Sequence, residues 1–235
     1  MKILLTGCCG FIGFNFVNSL VKTNKKIKII GIDNLNNYYS VGLKKARLKI
    51  LLKSKNFTFQ KMDLENLKLL NNLFKKNKFD CIFHLAAQAG VRYSIKNPKK
   101  YIDSNIIGFF NIIELARKMS IKKIFYASSS SVYGDSKKFP LNEKTIISPK
   151  NIYGLTKKFN EELAEVYSNY YDINFVGLRF FTVYGEWGRP DMMILKYIEA
   201  SVKNKYFYLH NYGNHTRDFT YIEDVTEILN RFIYF

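Results

Sequence analysis

Thr6-Gly7-Cys8-Cys9-Gly10-Phe11-Ile12-Gly13 stands between an apolar run, Lys2–Thr6, and a stretch of helical spacing that continues to about Val21. Its glycines are spaced G-x-x-G-x-x-G. Gly7 permits a tight turn, Gly10 lets a pyrophosphate approach the backbone, and Gly13 lets the helix pack closely on the strand. The start of the helix offers unpaired N–H groups and a partial positive charge to phosphates. A glycine pattern alone is weak. Here it has the strand–turn–helix context, and Asp33 lies 20 residues beyond Gly13 at the end of the next apolar run. A carboxylate there binds a ribose 2′-hydroxyl and repels a 2′-phosphate. No arginine directly follows Asp33, so NAD is favoured over NADP. The plain alternative is a tight turn with a surface aspartate. Cys8 and Cys9 read as small fillers, with a thiol redox switch as the alternative.

Outward from this turn, continuous apolar runs alternate with helical patterns. Ile27–Ile32, Phe57–Lys61, Cys81–Leu85, Lys123–Ser128 and Asn174–Phe180 read as strands, and Leu43–Leu52, Leu67–Phe74, Asn105–Lys118 and Asn151–Tyr171 as helices. Repeated β-α-β units with apolar strands predict an α/β fold, a doubly wound parallel sheet with helices on both faces. The pattern loosens after Phe181. Thr182–Pro190 reads as a loop, Asp191–Lys203 as a helix, Tyr206–Leu209 and Phe219–Tyr221 as short strands, and Glu223–Phe232 as a helix. The expected division is a cofactor-binding domain over 1–181 and an incomplete substrate-binding region over 182–235. The chain stops at Phe235 without a capping glycine or polar tail, which reads as a truncation. The apolar face of Val225, Ile228, Leu229, Phe232 and Ile233 is then expected to lack part of its partner surface and to promote association.

The 235 residues are 47% apolar and 24% charged, with only 4 prolines, which excludes a disordered or collagen-like chain. No uncharged apolar run approaches the roughly 18 residues of a membrane span, and no signal peptide precedes the first strand. The 3 cysteines, Cys8, Cys9 and Cys81, fit a reducing cytoplasm better than a disulfide framework. The net charge of +18 invites a nucleic-acid reading, but 30 of the 37 basic residues are lysines in a chain also rich in Asn and Ile. They are expected on solvated faces, at Lys22 to Lys28, Lys44 to Lys55, Lys75 to Lys78 and Lys96 to Lys100, and no nucleic-acid partner is expected.

Tyr153-Gly154-Leu155-Thr156-Lys157 puts a phenol and an ammonium at i and i+4 on one helix face. A phenol has a pKa of about 10, and a nearby cation lowers it. Such a tyrosine can take a proton from a sugar hydroxyl while hydride leaves the same carbon for NAD⁺. Upstream, Ser128-Ser129-Ser130-Ser131 ends the fifth strand, on the sheet edge where ligands bind. The bland reading is a core tyrosine, a surface lysine and a serine-rich turn.

Together these features resemble the extended short-chain dehydrogenase/reductase family of nucleotide-sugar enzymes, most closely the UDP-glucuronate 4-epimerases. The resemblance runs through essentially the whole chain. It rests on 33–39 (DNLNNYY), 84–94 (HLAAQAGVRYS), 127–134 (ASSSSVYG), 179–185 (RFFTVYG), 187–192 (WGRPDM) and 217–221 (RDFTY). It implies that Gly7, Gly10, Phe11, Ile12, Gly13, Asp33 and Asn34 hold NAD, that Asp63 and Leu64 contact the adenine, and that Leu85, Ala86, Ala87 and Asn105 line the nicotinamide half. Tyr153 would be the base, Ser129 its partner and Lys157 a further cofactor contact. Gln88, Ser130, Ser131 and Thr182 would meet the sugar, and Arg92, Arg189 and Arg217 would meet anionic groups, Arg217 the pyrophosphate. The implied reaction is inversion at C4 of a UDP-sugar through a transient 4-keto sugar. A homodimer through Asn105–Lys118 and Asn151–Tyr171, and a place in surface-glycan precursor synthesis, are implied too.

Three other readings stay open. Dehydratases of this scaffold usually carry Asp-Glu where Ser130-Ser131 stands, and decarboxylases a Glu; two serines cannot do that proton work. A neutral-sugar 4-epimerase is the second. A non-catalytic NAD- or RNA-binding module is the third, and the charge and the early stop favour it.

Overall fold

A computed structural model describes residues 1–214 and 216–234. In chain order the elements are β1 (Lys2–Thr6), α1 (Phe11–Thr23), β2 (Lys28–Asp33), α2 (Val41–Leu51), β3 (Phe57–Lys61), α3 (Leu67–Lys76), β4 (Cys81–His84), α4 (Val91–Lys96), α5 (Pro98–Tyr101), a π-helical turn (Ile102–Ile107), α6 (Gly108–Lys118), β5 (Lys123–Ser129), α7 (Ile152–Tyr171), β6 (Asn174–Phe180), β7 (Thr182–Tyr184), α8 (Met193–Val202), β8 (Phe219–Tyr221) and α9 (Ile222–Arg231). The first six strands form one parallel sheet in the order β3-β2-β1-β4-β5-β6. That order reverses between β1 and β4, which opens a crevice at their C-terminal ends.

Side chains alternate across the strands and fill two cores. Ile3, Leu5, Ile29, Phe83 and Phe125 point to one face, against α1. Leu4, Ile30, Ile32, Ile82 and Ile124 point to the other, against α3, α6 and α7. A strand buried on both faces has no polar alternation to show, which is why these runs are continuously apolar. Helix starts follow local chemistry: Ser40, Asn66 and Asn151 each accept a backbone N–H at the head of α2, α3 and α7.

Four expectations are corrected. Tyr206–Leu209 forms no strand; its aromatic β-propensity finds no sheet edge, and Tyr206 is 92% exposed. Within the expected loop Thr182–Pro190, Thr182–Tyr184 is instead a strand, paired in parallel with Phe219–Tyr221. The lysine-rich run Lys44 to Lys55 is not wholly solvated: Lys44 and Arg47 are buried. The apolar face of the last helix has its partner within the chain. Val225, Leu229 and Ile233 are buried in the α1 core, and Phe232 stacks on Phe125 with ring centroids 5.3 Å apart. Ile228 is the exception, half exposed. Phe235 lies outside the described residues. Among the described residues, no helix is long and apolar enough to cross a membrane.

Candidate active site

A cleft of about 2000 Å³ runs along the C-terminal ends of the strands. Its floor is the glycine turn. Gly7 has φ +75, and a Cβ there would stand 2.7 Å from the Ala86 nitrogen; one on Gly13 would stand 2.2 Å from the Gly7 carbonyl oxygen. Both positions demand glycine on sterics alone. The amides of Gly7, Cys9 and Gly10 are bonded within the turn and to Ile32 and Asp33, and no side chain caps the start of α1, so it is the first N–H groups of the helix that are left to the cleft. Asp33 ends β2, where its Oδ2 accepts the Cys9 N–H at 3.1 Å and its Oδ1 the Leu35 N–H at 2.8 Å. Burial raises its pKa, and these bonds with the nearby Lys44 and Arg47 charges oppose the rise. Asn34 donates to Asp63 at 2.6 Å, so the expected adenine side is internally braced. A bare turn, a helix start and a braced carboxylate fit an NAD pyrophosphate and ribose.

Leu85, Ala86 and Ala87 continue the wall. Asn105 does not line it. The π-helical turn aims Asn105 at the back of the segment that follows β4, where it accepts the Gln88 N–H at 2.7 Å and donates to the Gln88 carbonyl at 3.1 Å, and it also donates to Thr156 on α7 at 3.1 Å. It therefore shapes the wall from one layer back. Cys8, Cys9 and Asp33 place two sulfurs and a carboxylate oxygen within 4.8 Å of one another, but burial holds the Cys8 thiol well above its usual pKa.

Asn151 accepts the Gly154 N–H at 2.8 Å and so starts α7 where Tyr153 and Lys157 both face the cleft. Burial raises the Tyr153 pKa, while Ser129 and the charge of Arg189 pull it down. The expected cation beside the phenol is thus supplied by Arg189. The Lys157 ammonium donates to the Ala127 carbonyl at 2.7 Å, and burial pushes its pKa down to about 8 against the pull of Glu161. Ser129, Ser130 and Ser131 turn over the end of β5, with the Ser131 N–H bonded to Ser129 Oγ at 3.1 Å.

Gln88, Arg92, Thr182 and Arg217 also border the cleft. Arg217 is exposed and donates to the Thr216 carbonyl at 2.7 Å. Arg189 differs from a free anion contact. It pairs with Asp191, Nε to Oδ1 at 3.0 Å, and Asp191 also accepts the Tyr38 hydroxyl at 2.8 Å. Tyr38, Asp191 and Lys44 also border the cleft, Lys44 near Asp33; the sequence gives the first two no role and places Lys44 among solvated lysines.

Over residues 3–233 the chain matches the NAD dependent epimerase/dehydratase family. Protein CapI of Staphylococcus aureus is 48% identical over 99% of this chain and 69% of its own length. The probable UDP-glucuronate 4-epimerase of Rhizobium meliloti is 40% identical over 98% of this chain and 67% of its own. The crystal structure of UDP-glucuronic acid 4-epimerase from Bacillus cereus, in complex with UDP-glucuronic acid and NAD, superposes with a TM-score of 0.89 at 36% identity, covering 96% of this chain and 71% of that one. The match runs through nearly every element described above, and the chain belongs to the NAD-dependent epimerase/dehydratase family.

Proposed function

We propose that the chain inverts C4 of UDP-glucuronate. The coarser assignment, an NAD-dependent nucleotide-sugar epimerase, rests on the family and on relatives that carry that activity in their names. The finer one rests on a single observation: the strand end beside Tyr153 carries Ser129, Ser130 and Ser131, and no carboxylic acid. Hydroxyl groups can donate hydrogen bonds to a sugar carboxylate. They cannot supply the acid and base that elimination of water requires.

In this reading Tyr153 is the proton acceptor. Its phenolate is favoured by Ser129 and by the Arg189 charge, against the cost of burial. When bound, NAD supplies the hydride acceptor and then the hydride donor. Lys157, fixed on the Ala127 carbonyl, holds a positive charge at that end of the cleft. Ser130, Ser131 and Thr182 orient the sugar, Arg217 meets the pyrophosphate, and the open cleft leaves room for the oxidised sugar to turn. Tyr153 then returns the proton. Residues 1–181 would hold the cofactor and 182–235 the sugar side.

Two copies would associate through α6 and α7, whose outer faces expose Phe110, Leu155, Phe159 and Val166. Three unpaired cysteines favour a cytoplasmic site of action.

Incubation with UDP-glucuronate and NAD⁺, followed by separation of epimers and measurement of CO₂, tests the assignment. UDP-galacturonate without CO₂ is expected. Release of CO₂, a dehydrated product, or turnover of UDP-glucose alone would overturn the glucuronate reading.

A further inference from the structure

Arg47, on α2, is fully buried yet pairs with no carboxylate among the described residues. Its Nη1 donates to the Cys9 carbonyl at 2.9 Å and to the Tyr39 hydroxyl at 2.8 Å. Its Nη2 donates to the carbonyls of Trp187, at 2.5 Å, and Gly188, at 3.1 Å. A buried guanidinium is costly unless hydrogen-bonded; here neutral oxygens from three separate segments accept from both Nη atoms, while Nε has no acceptor among the described residues.

Those segments belong to opposite halves of the cleft. Cys9 is in the glycine turn, and its own N–H is bonded to Asp33, so Asp33 and Arg47 grip the two ends of one residue. Trp187 and Gly188 lie in the loop between β7 and α8, immediately before Arg189. That loop is strained: Trp187 has φ +59, a left-handed value rare for a bulky residue. Such conformations persist where surrounding contacts over-determine them. Other links from this loop to the cofactor half are Asn15, donating to the Glu186 carbonyl at 3.2 Å, the Tyr38 hydroxyl, donating to Asp191 at 2.8 Å beneath the Arg189 guanidinium, and the Trp187 ring lying 5.3 Å from that of Phe14.

We propose that Arg47 is a positioning residue that couples the cofactor site to the sugar-side loop. Engagement of Asp33 and the glycine turn fixes, through Cys9 and Arg47, the backbone of 187–188 and so the placement of Arg189 beside Tyr153. The proposal rests on NAD occupying this cleft and not on the identity of the sugar.

Trp187 is the only tryptophan in the chain, so its emission reports on this loop. ADP-ribose carries the adenine ribose and pyrophosphate without the nicotinamide ring. Its binding is followed by calorimetry and by Trp187 emission in the wild-type chain, Arg47→Met and Arg47→Lys. The wild-type emission is expected to change on saturation. At matched saturation the Arg47→Met change is at least threefold smaller, and Arg47→Lys, which keeps the charge but not the fork, is intermediate. A full response in a variant that binds ADP-ribose, or none in the saturated wild type, overturns the coupling. If Arg47→Met does not fold, Arg47→Lys decides by the same reading: a diminished response supports the coupling and an undiminished one overturns it. Absence of binding heat in the wild type would instead strike the cofactor assignment, and the coupling with it.

Discussion

The two sides of the cleft are built differently. On the cofactor side, β1, α1 and β2 contribute backbone and tightly packed glycines, over a core in which Ile3, Leu5, Phe14 and Val17 are fully buried. On the sugar side, α8 has no buried residue, and the chain from Tyr206 to Leu209 is irregular and largely exposed. The loop before α8 is held by a few side-chain ties, Arg47 to the 187–188 carbonyls and Tyr38 to Asp191. A ligand common to the family can be held by main chain on a sheet, where almost any substitution is resisted. Discrimination among sugars can be left to loops, where single side chains can change without unfolding the domain.

The sharpest break between the two sides is Tyr153→Phe. The change removes one hydroxyl and leaves the glycine turn and Asp33 untouched. Turnover of UDP-glucuronate should fall by roughly 10²–10⁴-fold, the usual worth of general acid–base help, while NAD affinity measured by calorimetry stays within a factor of about three. Retention of most activity would remove Tyr153 as the base.

Stability should divide between the α1 core, which α9 joins, and α8. Leu229 is fully buried in the α1 core, whereas Val202 on α8 is 81% exposed. Leu229→Ala should cost about 2–5 kcal/mol and Val202→Ser no more than about 0.5 kcal/mol, read from urea unfolding. Equal costs would mean that α8 is anchored as firmly as α9.

The fold and the cofactor side were legible because their signals are local. The glycine turn, Asp33 and the Tyr153–Lys157 face each follow from spacing within one or two elements. Arg47 and Lys44 were not legible: a cation satisfied by carbonyls leaves no complementary residue in the sequence, so it reads like its solvated neighbours. The pairing of α9 with α1 joins the two ends of the chain, and an apolar face announces its need for a partner without naming it. Asn105 was placed one layer too far forward, because the π-helical turn rotates it behind the wall it was expected to line. Tyr206–Leu209 had the composition of a strand, but strand formation requires an edge, which composition does not supply.

Asp33 sharpens the comparison in a second way. With Lys44 and Arg47 beside it, the cofactor side already holds two cations, and the Asp33 carboxylate is what opposes a 2′-phosphate. Asp33→Ser should therefore raise NADP affinity and lower NAD affinity, narrowing the gap by about tenfold, or about 1.4 kcal/mol. Competition titrations with both cofactors measure it. Wild-type protein binding both equally would contradict the role.

Lys157 makes the subtlest prediction, because it acts in opposite directions on stability and on binding. Burial takes its pKa from 10.5 down to about 8. Between those values the unfolded chain holds the proton and the folded chain has released it, so this group's contribution to stability improves as pH rises from about 8 towards 10.5. Below that window the buried ammonium is a cost, offset in part by its bond to the Ala127 carbonyl. If the cofactor needs that ammonium, its affinity must run the other way. It should be constant up to neutral pH and fall by about fourfold at pH 8.5, as the charged fraction falls. Lys157→Arg, charged throughout, should show a flat profile whatever its absolute affinity. NAD calorimetry from pH 7 to 9 on both chains decides it. A flat wild-type profile would show that the Lys157 charge is not what the cofactor meets.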